Sequence, residues 1–396
     1  MQRKYIEDLK EFLELTKAKR GLDADKNYPN EYWHLNFYFS HTEEELKEYI
    51  TKLDLLNKEV DDFTFNYYVN MIIKYMNGEV DSHSMLMLAK RTELPYQLKW
   101  LNNEGLFIEQ VNEDKFRKAK ILRVNGVDIN ELVKSYEMSV SYACLSRFYS
   151  LVEQNFRILE VLYSLPNFNR LNDKIVLETD RGILNIDINN MAKLPSREIP
   201  NYYIKDKAMV FRYRSCHPYY ISVIDSLIKT MDEELKKGNI NKFVLDLRDN
   251  GGGNSGIIKP LIDYLERQKI ECTTIVNKGV FSSGRFAAID MKNIQSKIIG
   301  EEIGTPINCF GNILKPKCLK NTKQQPIFTK TYWYLDDKNN KMTGIYERKE
   351  LEKFPKDFFK PQFLKLDMIL EESYEDYQNC YDVFMDRALN SIELKK

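Results

Sequence analysis

The chain has 396 residues, more than one ordinary domain, and its 59 Lys+Arg are matched by 59 Asp+Glu. A net charge of zero with dispersed charges removes the basic footprint of a nucleic-acid binder, so no nucleic acid is expected as a partner. Six scattered cysteines without a Cys-x-x-Cys pair, and four unclustered histidines (His34, His41, His83, His217), offer neither a metal-ligand pattern nor a disulfide framework, so no metal and no cofactor are expected.

Residues 1–90 read as helical. Ile6, Leu9, Phe12, Leu13 and Leu15 form one apolar stripe, and Leu46, Ile50, Leu53, Leu55 and Leu56 form another. A third helix carries Tyr67, Met71, Ile72 and Tyr75 and stops at Asn77-Gly78, ahead of Asp81-Ser82-His83-Ser84. Residues 91–195 change to short strands and turns around a helical insert, expected over 132–162. Within them, 120–129 reads as strand, Asn-Gly turn, strand, and 174–187 alternates as a hairpin about Asp180-Arg181-Gly182.

From about 196 to 396 strands and helices alternate, the pattern of a parallel-rich sheet covered by helices. The strand at 242–247 ends in Gly251, Gly252 and Gly253, and a helical pattern follows. The next strand, 271–277, runs into Gly279-Val280-Phe281-Ser282-Ser283-Gly284 and another helix. Ligands of such sheets bind beyond the C-terminal strand ends, where both turns lie. A glycine turn before a helix can hold either a phosphate or an oxyanion. The phosphate reading lacks a Gly-Lys-Ser/Thr or Gly-x-Gly-x-x-Gly sequence. Ser282 has two readings of its own: an N-cap of the following helix, or a nucleophile exposed on a tight turn. His83 is either a satisfied imidazole or a base whose tautomer its polar neighbours fix.

These segments carry a resemblance. Asp246-Leu247-Arg248-Asp249-Asn250-Gly251-Gly252-Gly253 resembles the Asp-Leu-Arg-x-Asn-x-Gly-Gly signature of the C-terminal processing peptidases, also called tail-specific proteases. Val280-Phe281-Ser282-Ser283-Gly284 is similar to that family's nucleophile segment, with Val280 where Thr is usual, and Ile299-Gly300-Glu301 to the strand after it. Ser373-Tyr374-Glu375-Asp376-Tyr377 and Asp382 resemble its closing segment. Many members use a lysine base after the Gly-Glu strand, but no lysine occurs here between Lys297 and Lys315. Asp81-Ser82-His83-Ser84 instead resembles the Ser-His motif of the tricorn-like and retinoid-binding-protein-like branch.

The resemblance implies an α/β (α+β overall) protein in three parts: a helical N-terminal region (1–90), a β-rich PDZ-like middle (91–195), and a βα catalytic domain of crotonase-like type (196–396). It implies a serine endopeptidase acting on peptides or unfolded proteins, with Ser282 as nucleophile, His83 as base and Ser82 orienting the imidazole. The oxyanion hole would combine the Gly252–Gly253 turn with Ser283, and Glu347 or Glu352 would complete the network. A homo-oligomer is compatible with this reading. The alternative is a non-catalytic ligand- or peptide-binding protein on the same scaffold. An esterase would share every one of these residues. With no apolar signal-peptide core and no apolar run near the ~20 residues of a membrane span, the sequence as given is expected to be cytoplasmic.

Overall fold

The computed structural model describes residues 2–16, 41–194, 200–336, 340–346 and 348–390. In chain order it begins with α1 (Arg3–Leu15), α2 (Glu43–Lys52), α3 (Asp62–Asn77) and β1 (Met85–Met87). Then come β2 (Tyr96–Leu101), β3 (Gly105–Val111), β4 (Ile121–Val124), β5 (Val127–Asp128), α4 (Ile129–Ser139), α5 (Leu145–Asn155), α6 (Leu159–Ser164), β6 (Lys174–Thr179) and β7 (Gly182–Asp187). The βα part follows: β8 (Tyr202–Lys205), β9 (Ala208–Arg212), α7 (Tyr220–Lys236), β10 (Lys242–Asp246), α8 (Lys259–Gln268), β11 (Glu271–Val276), α9 (Ser283–Asn293) and β12 (Lys297–Gly300). The chain closes with β13 (Cys309–Leu314), β14 (Gln325–Asp336), β15 (Lys341–Ile345), α10 (Arg348–Leu351), β16 (Met368–Ile369), α11 (Tyr374–Gln378) and α12 (Val383–Leu389). The mixture of helix and strand is that of an α/β protein. No described helix is long and apolar enough to cross a membrane.

The chain forms two compact units. The first joins Met1–Pro195 to Asn308–Asp336 and Lys341–Pro361. The second comprises Ser196–Ile307, Asp337–Asn340 and Gln362–Lys396. The cause is long-range strand pairing: β14 pairs antiparallel with β1, Met85 opposite Ile327, and so draws its neighbours into the first unit. Hydrophobic periodicity cannot reveal a partner some 240 positions away.

In the first unit, α1, α2 and α3 bury Phe12, Leu46, Phe65, Ile72 and Met76 against Leu86 and Phe328. α2 opens with a capping box between Thr42 and Glu45, and α3 ends at Gly78 with φ +58°. The middle region pairs β2 with β3 and orders a second antiparallel sheet β5-β4-β6-β7. Asn125 (φ 48°) and Gly126 (φ 78°) make the turn between β4 and β5. The helix expected over 132–162 is three helices, because the backbone turns extended at Val140 and again at Ile158.

The second unit is built on a sheet ordered β16-β12-β11-β10-β9-β8, parallel except for the antiparallel β8–β9 pair. β10 is buried along its whole length, as a central parallel strand should be. α12 lays Phe384, Met385, Ala388 and Leu389 over Val210, Val244, Ile275 and Ile299 on one face of this sheet. α9 lies against β11 and β12.

Candidate active site

The second unit places two turns against each other at the C-terminal ends of β10 and β11. Asn250 is their common anchor and is fully buried. Its carboxamide Nδ2 donates to the Tyr213 carbonyl at 2.7 Å, and its Oδ1 accepts from Gly252 N–H at 2.9 Å. Its own carbonyl accepts from Phe281 N–H at 2.9 Å, one residue before the serine. A Cβ at Gly284 would stand 2.6 Å from that carbonyl, so the helix start needs glycine there.

Gly252 and Gly253 have φ +97° and +135°, outside ordinary L-residue space. The Gly252 carbonyl accepts from Cys216 N–H at 2.9 Å, and the Cys216 carbonyl accepts from Asn254 N–H at 2.9 Å. A trans peptide points its carbonyl and its N–H in opposite directions. With the Gly252 carbonyl turned to Cys216, the Gly253 N–H faces away from that segment. The Gly252 N–H is turned inward, to Asn250 Oδ1.

Ser282 stands at the N-cap position of α9, yet its side chain makes no capping hydrogen bond. Its backbone lies at φ 52°, ψ −120°, a conformation that costs a non-glycine residue about 1–3 kcal/mol. The surroundings enforce it: Phe281 N–H is tied to Asn250, Gly304 N–H binds the Val280 carbonyl at 3.0 Å, and Arg285 N–H binds the Ser282 carbonyl at 3.1 Å. Val280 is buried, and its carbonyl serves the turn. Ser283 Oγ donates to the Gly253 carbonyl at 2.6 Å and ties the turns together. The Ser283 N–H belongs to the first residue of α9, where an α-helix offers no internal acceptor. Ser282 itself is half-buried.

The charged residues of the glycine motif hold the strand end. Burial alone would raise the Asp246 pKa, but Arg248 and Arg214 overcome it and hold the carboxyl well below the usual carboxylate range. Arg214 reaches Asp246 with two nitrogens at 2.8 and 2.7 Å, and Arg248 bridges on to Asp382 at 2.9 Å. Asp382 in turn caps α12 through Met385 N–H. Burial pushes the neighbouring Cys216 thiol up, away from a reactive thiolate.

In the first unit, His83 follows α3 and precedes β1, and the whole stretch from Asp81 to Ser84 is buried. Asn70 fixes the strand: its Oδ1 accepts from Leu86 N–H at 2.8 Å and its Nδ2 donates to the Leu86 carbonyl at 3.0 Å. Asp81 Oδ1 accepts from His83 N–H at 2.8 Å and stands 3.7 Å from the imidazole Nδ1. Ser82 Oγ accepts from Ala143 N–H at 2.7 Å, in the loop between α4 and α5. The acid beside the imidazole is Asp81, two residues away in sequence. Glu352 is exposed, and Glu347 lies outside the described residues. Thus Ser282, Ser283, Gly252 and Gly253 gather in one unit, and His83, Ser82 and Asp81 in the other.

Neither protein-family models nor curated proteins match this sequence. Among solved structures, mature CPAF superposes with a TM-score of 0.62 at 9% identity, over 98% of this chain and 97% of that one. A mutant of CPAF gives 0.63 at 9% identity over the same shares. A looser likeness, TM-score 0.43 at 10% identity over 93% of each chain, is to the photosystem II D1 C-terminal processing protease. The chain therefore has the fold of mature CPAF along nearly its full length.

Proposed function

We propose that the protein is a serine-type endopeptidase of the C-terminal processing kind, working through an acyl-enzyme on Ser282. The observation that carries this reading is the backbone of Ser282, φ 52° and ψ −120°, on a strand-to-helix turn. A capping serine needs no such strain; a hydroxyl held out to meet a substrate carbonyl does. In this reading Ser282 Oγ attacks the peptide carbonyl, and the Gly253 and Ser283 N–H groups receive the oxyanion, each worth about 3 kcal/mol of barrier. His83 takes the hydroxyl proton and returns it to the leaving amine, and Asp81 holds the imidazole. Ser82 is a loop-holding residue. The antiparallel middle region corresponds to the PDZ-like module of that family, and the parallel sheet to its crotonase-like core. The substrates are peptides or unfolded proteins.

The test is covalent labelling of the full chain with a serine-directed phosphonate, followed by peptide mapping. The adduct is expected on Ser282, lost in Ser282→Ala and strongly reduced in His83→Ala. An unlabelled Ser282, or label unchanged in both variants, would remove the assignment.

A further inference from the structure

The first unit carries an aromatic platform that acyl transfer alone does not call for. β14 sends Tyr332 and Tyr334 to one face, into a core with Phe310, Ile345, Leu351 and Phe359, and Trp333 to the other. Trp333 faces Cys309 on β13 and Gly344 on β15. Beneath the two ends of its indole lie two glycines. A Cβ at Gly311 would stand 3.2 Å from Trp333 Cδ1 and 3.4 Å from Nε1, and one at Gly344 would stand 3.1 Å from Cζ3. The ring is therefore spread flat along the sheet over bare α-carbons. Neither glycine has a positive φ; at Gly311 the indole is the nearest neighbour, while at Gly344 Thr331 Cγ2 at 3.0 Å and the Tyr346 hydroxyl at 3.2 Å crowd the same point.

The same point at Gly311 lies 3.9 Å from His83 Cε1, so indole and imidazole both lie beside the α-carbon of Gly311. Tyr346 stands edge-on to the indole, with ring centroids 6.3 Å apart and planes at 72°, and is 37% exposed. Strand alternation puts the ring on the face opposite the aromatic core. Here a half-buried indole is kept flat beside the residue proposed as base.

We propose that Trp333, laid over Gly311 and Gly344 beside His83, is a subsite for an aromatic or long aliphatic side chain of the peptide substrate. The side chain belongs near the cleaved bond, because the base must reach the leaving nitrogen. The inference rests on the peptidase reading for its effect on cleavage, while the binding of such a side chain can be measured without any cleavage.

The probes are acetyl-Ala-Phe-Ala-amide and acetyl-Ala-Ala-Ala-amide, titrated by calorimetry into the full chain carrying Ser282→Ala. The phenylalanine peptide is expected to bind about tenfold more tightly, the scale of one aromatic contact plus its burial. Adding Trp333→Ala should bring the two affinities together, and Gly311→Val, which thrusts methyls between indole and imidazole, should do the same. Circular dichroism and the melting curve report whether each variant folds. Equal affinities in the parent, or a preference that survives Trp333→Ala in a folded chain, overturn the subsite. In the active chain, the phenylalanine-to-alanine ratio of kcat/KM should fall about tenfold with Trp333→Ala. If nothing is cleaved but the binding preference is present and depends on Trp333, the subsite stands and the peptidase reading falls.

Discussion

The α-carbon of Gly252 abuts the side chain of Ser282: a Cβ built at 252 would stand 2.8 Å from the Ser282 Cβ and 2.9 Å from the Ser283 nitrogen. The glycine turn and the serine turn are thus one fitted surface, and φ +97° at Gly252 makes any L side chain doubly unwelcome. Gly252→Ala is expected to destabilise the chain by about 1–3 kcal/mol in urea unfolding. It should also slow phosphonate labelling of Ser282 at least tenfold, because the nucleophile must move to clear the methyl. Labelling at the parent rate would mean that the two turns are not coupled.

The strain at Ser282 makes a prediction in the opposite direction. Alanine shares the penalty at φ 52°, ψ −120°, whereas glycine does not. Glycine also loosens the unfolded chain, at a cost of about 0.5–1 kcal/mol. The balance leaves Ser282→Gly more stable than Ser282→Ala by on the order of 1 kcal/mol. Both should be inactive. Denaturant melts of the two variants read the difference directly, and a glycine variant less stable than the alanine one would mean that the turn stores no strain.

Asp81 and Ser82, adjacent in one motif, make different contacts. Asp81 lies 3.7 Å from the His83 Nδ1, while Ser82 Oγ holds Ala143 N–H. Asp81→Asn should therefore lower kcat by on the order of 10³–10⁴ with little change in KM. Ser82→Ala should leave kcat within a few-fold and show itself in unfolding, by about 1–2 kcal/mol for a buried N–H left without its acceptor. The reverse pattern would restore Ser82 as the orienting residue.

Much of the second unit was legible because its signals are local. The apolar run of β10, the glycines after it and the helical spacing beyond predict a strand–turn–helix unit, and β11 with α9 repeats it. Ser282 is visible as a candidate, but its two readings share one sequence, and neither its dihedrals nor the missing cap bond is written in it. That Asn250 bends back to take the Gly252 N–H is not legible from the glycine run. Asp81 was in view beside His83, yet a two-residue spacing says nothing about which side chain turns toward the ring. The platform at Trp333 left no periodic signal, since it depends on glycines in two other strands.

Asp246 is expected to contribute to the acid sensitivity of the second unit. Its side chain is fully buried between Arg214 and Arg248, and their attraction outweighs burial, so its folded pKa lies below the unfolded value of about 3.9. For a carboxylate depressed in the folded state, the unfolded chain binds the proton more readily. Its contribution is therefore complete above about pH 4 and is lost as pH falls from there toward the folded pKa. Asp246→Asn leaves two guanidinium groups facing a neutral amide, and breaking a buried pair from one side costs about 3–5 kcal/mol. Urea unfolding from pH 7 down to pH 2 should show the parent losing stability through the acid limb, while Asp246→Asn starts lower and runs flatter. Arg214, with a 35% exposed side chain, can turn to water after the change, so most of the cost is expected from Arg248, whose side chain is 17% exposed. Asp382→Asn, which removes the more exposed partner of Arg248, should cost about 1 kcal/mol or less and leave the acid limb in place. A variant at 246 with the parent's pH profile would mean that the acid sensitivity comes from other carboxylates.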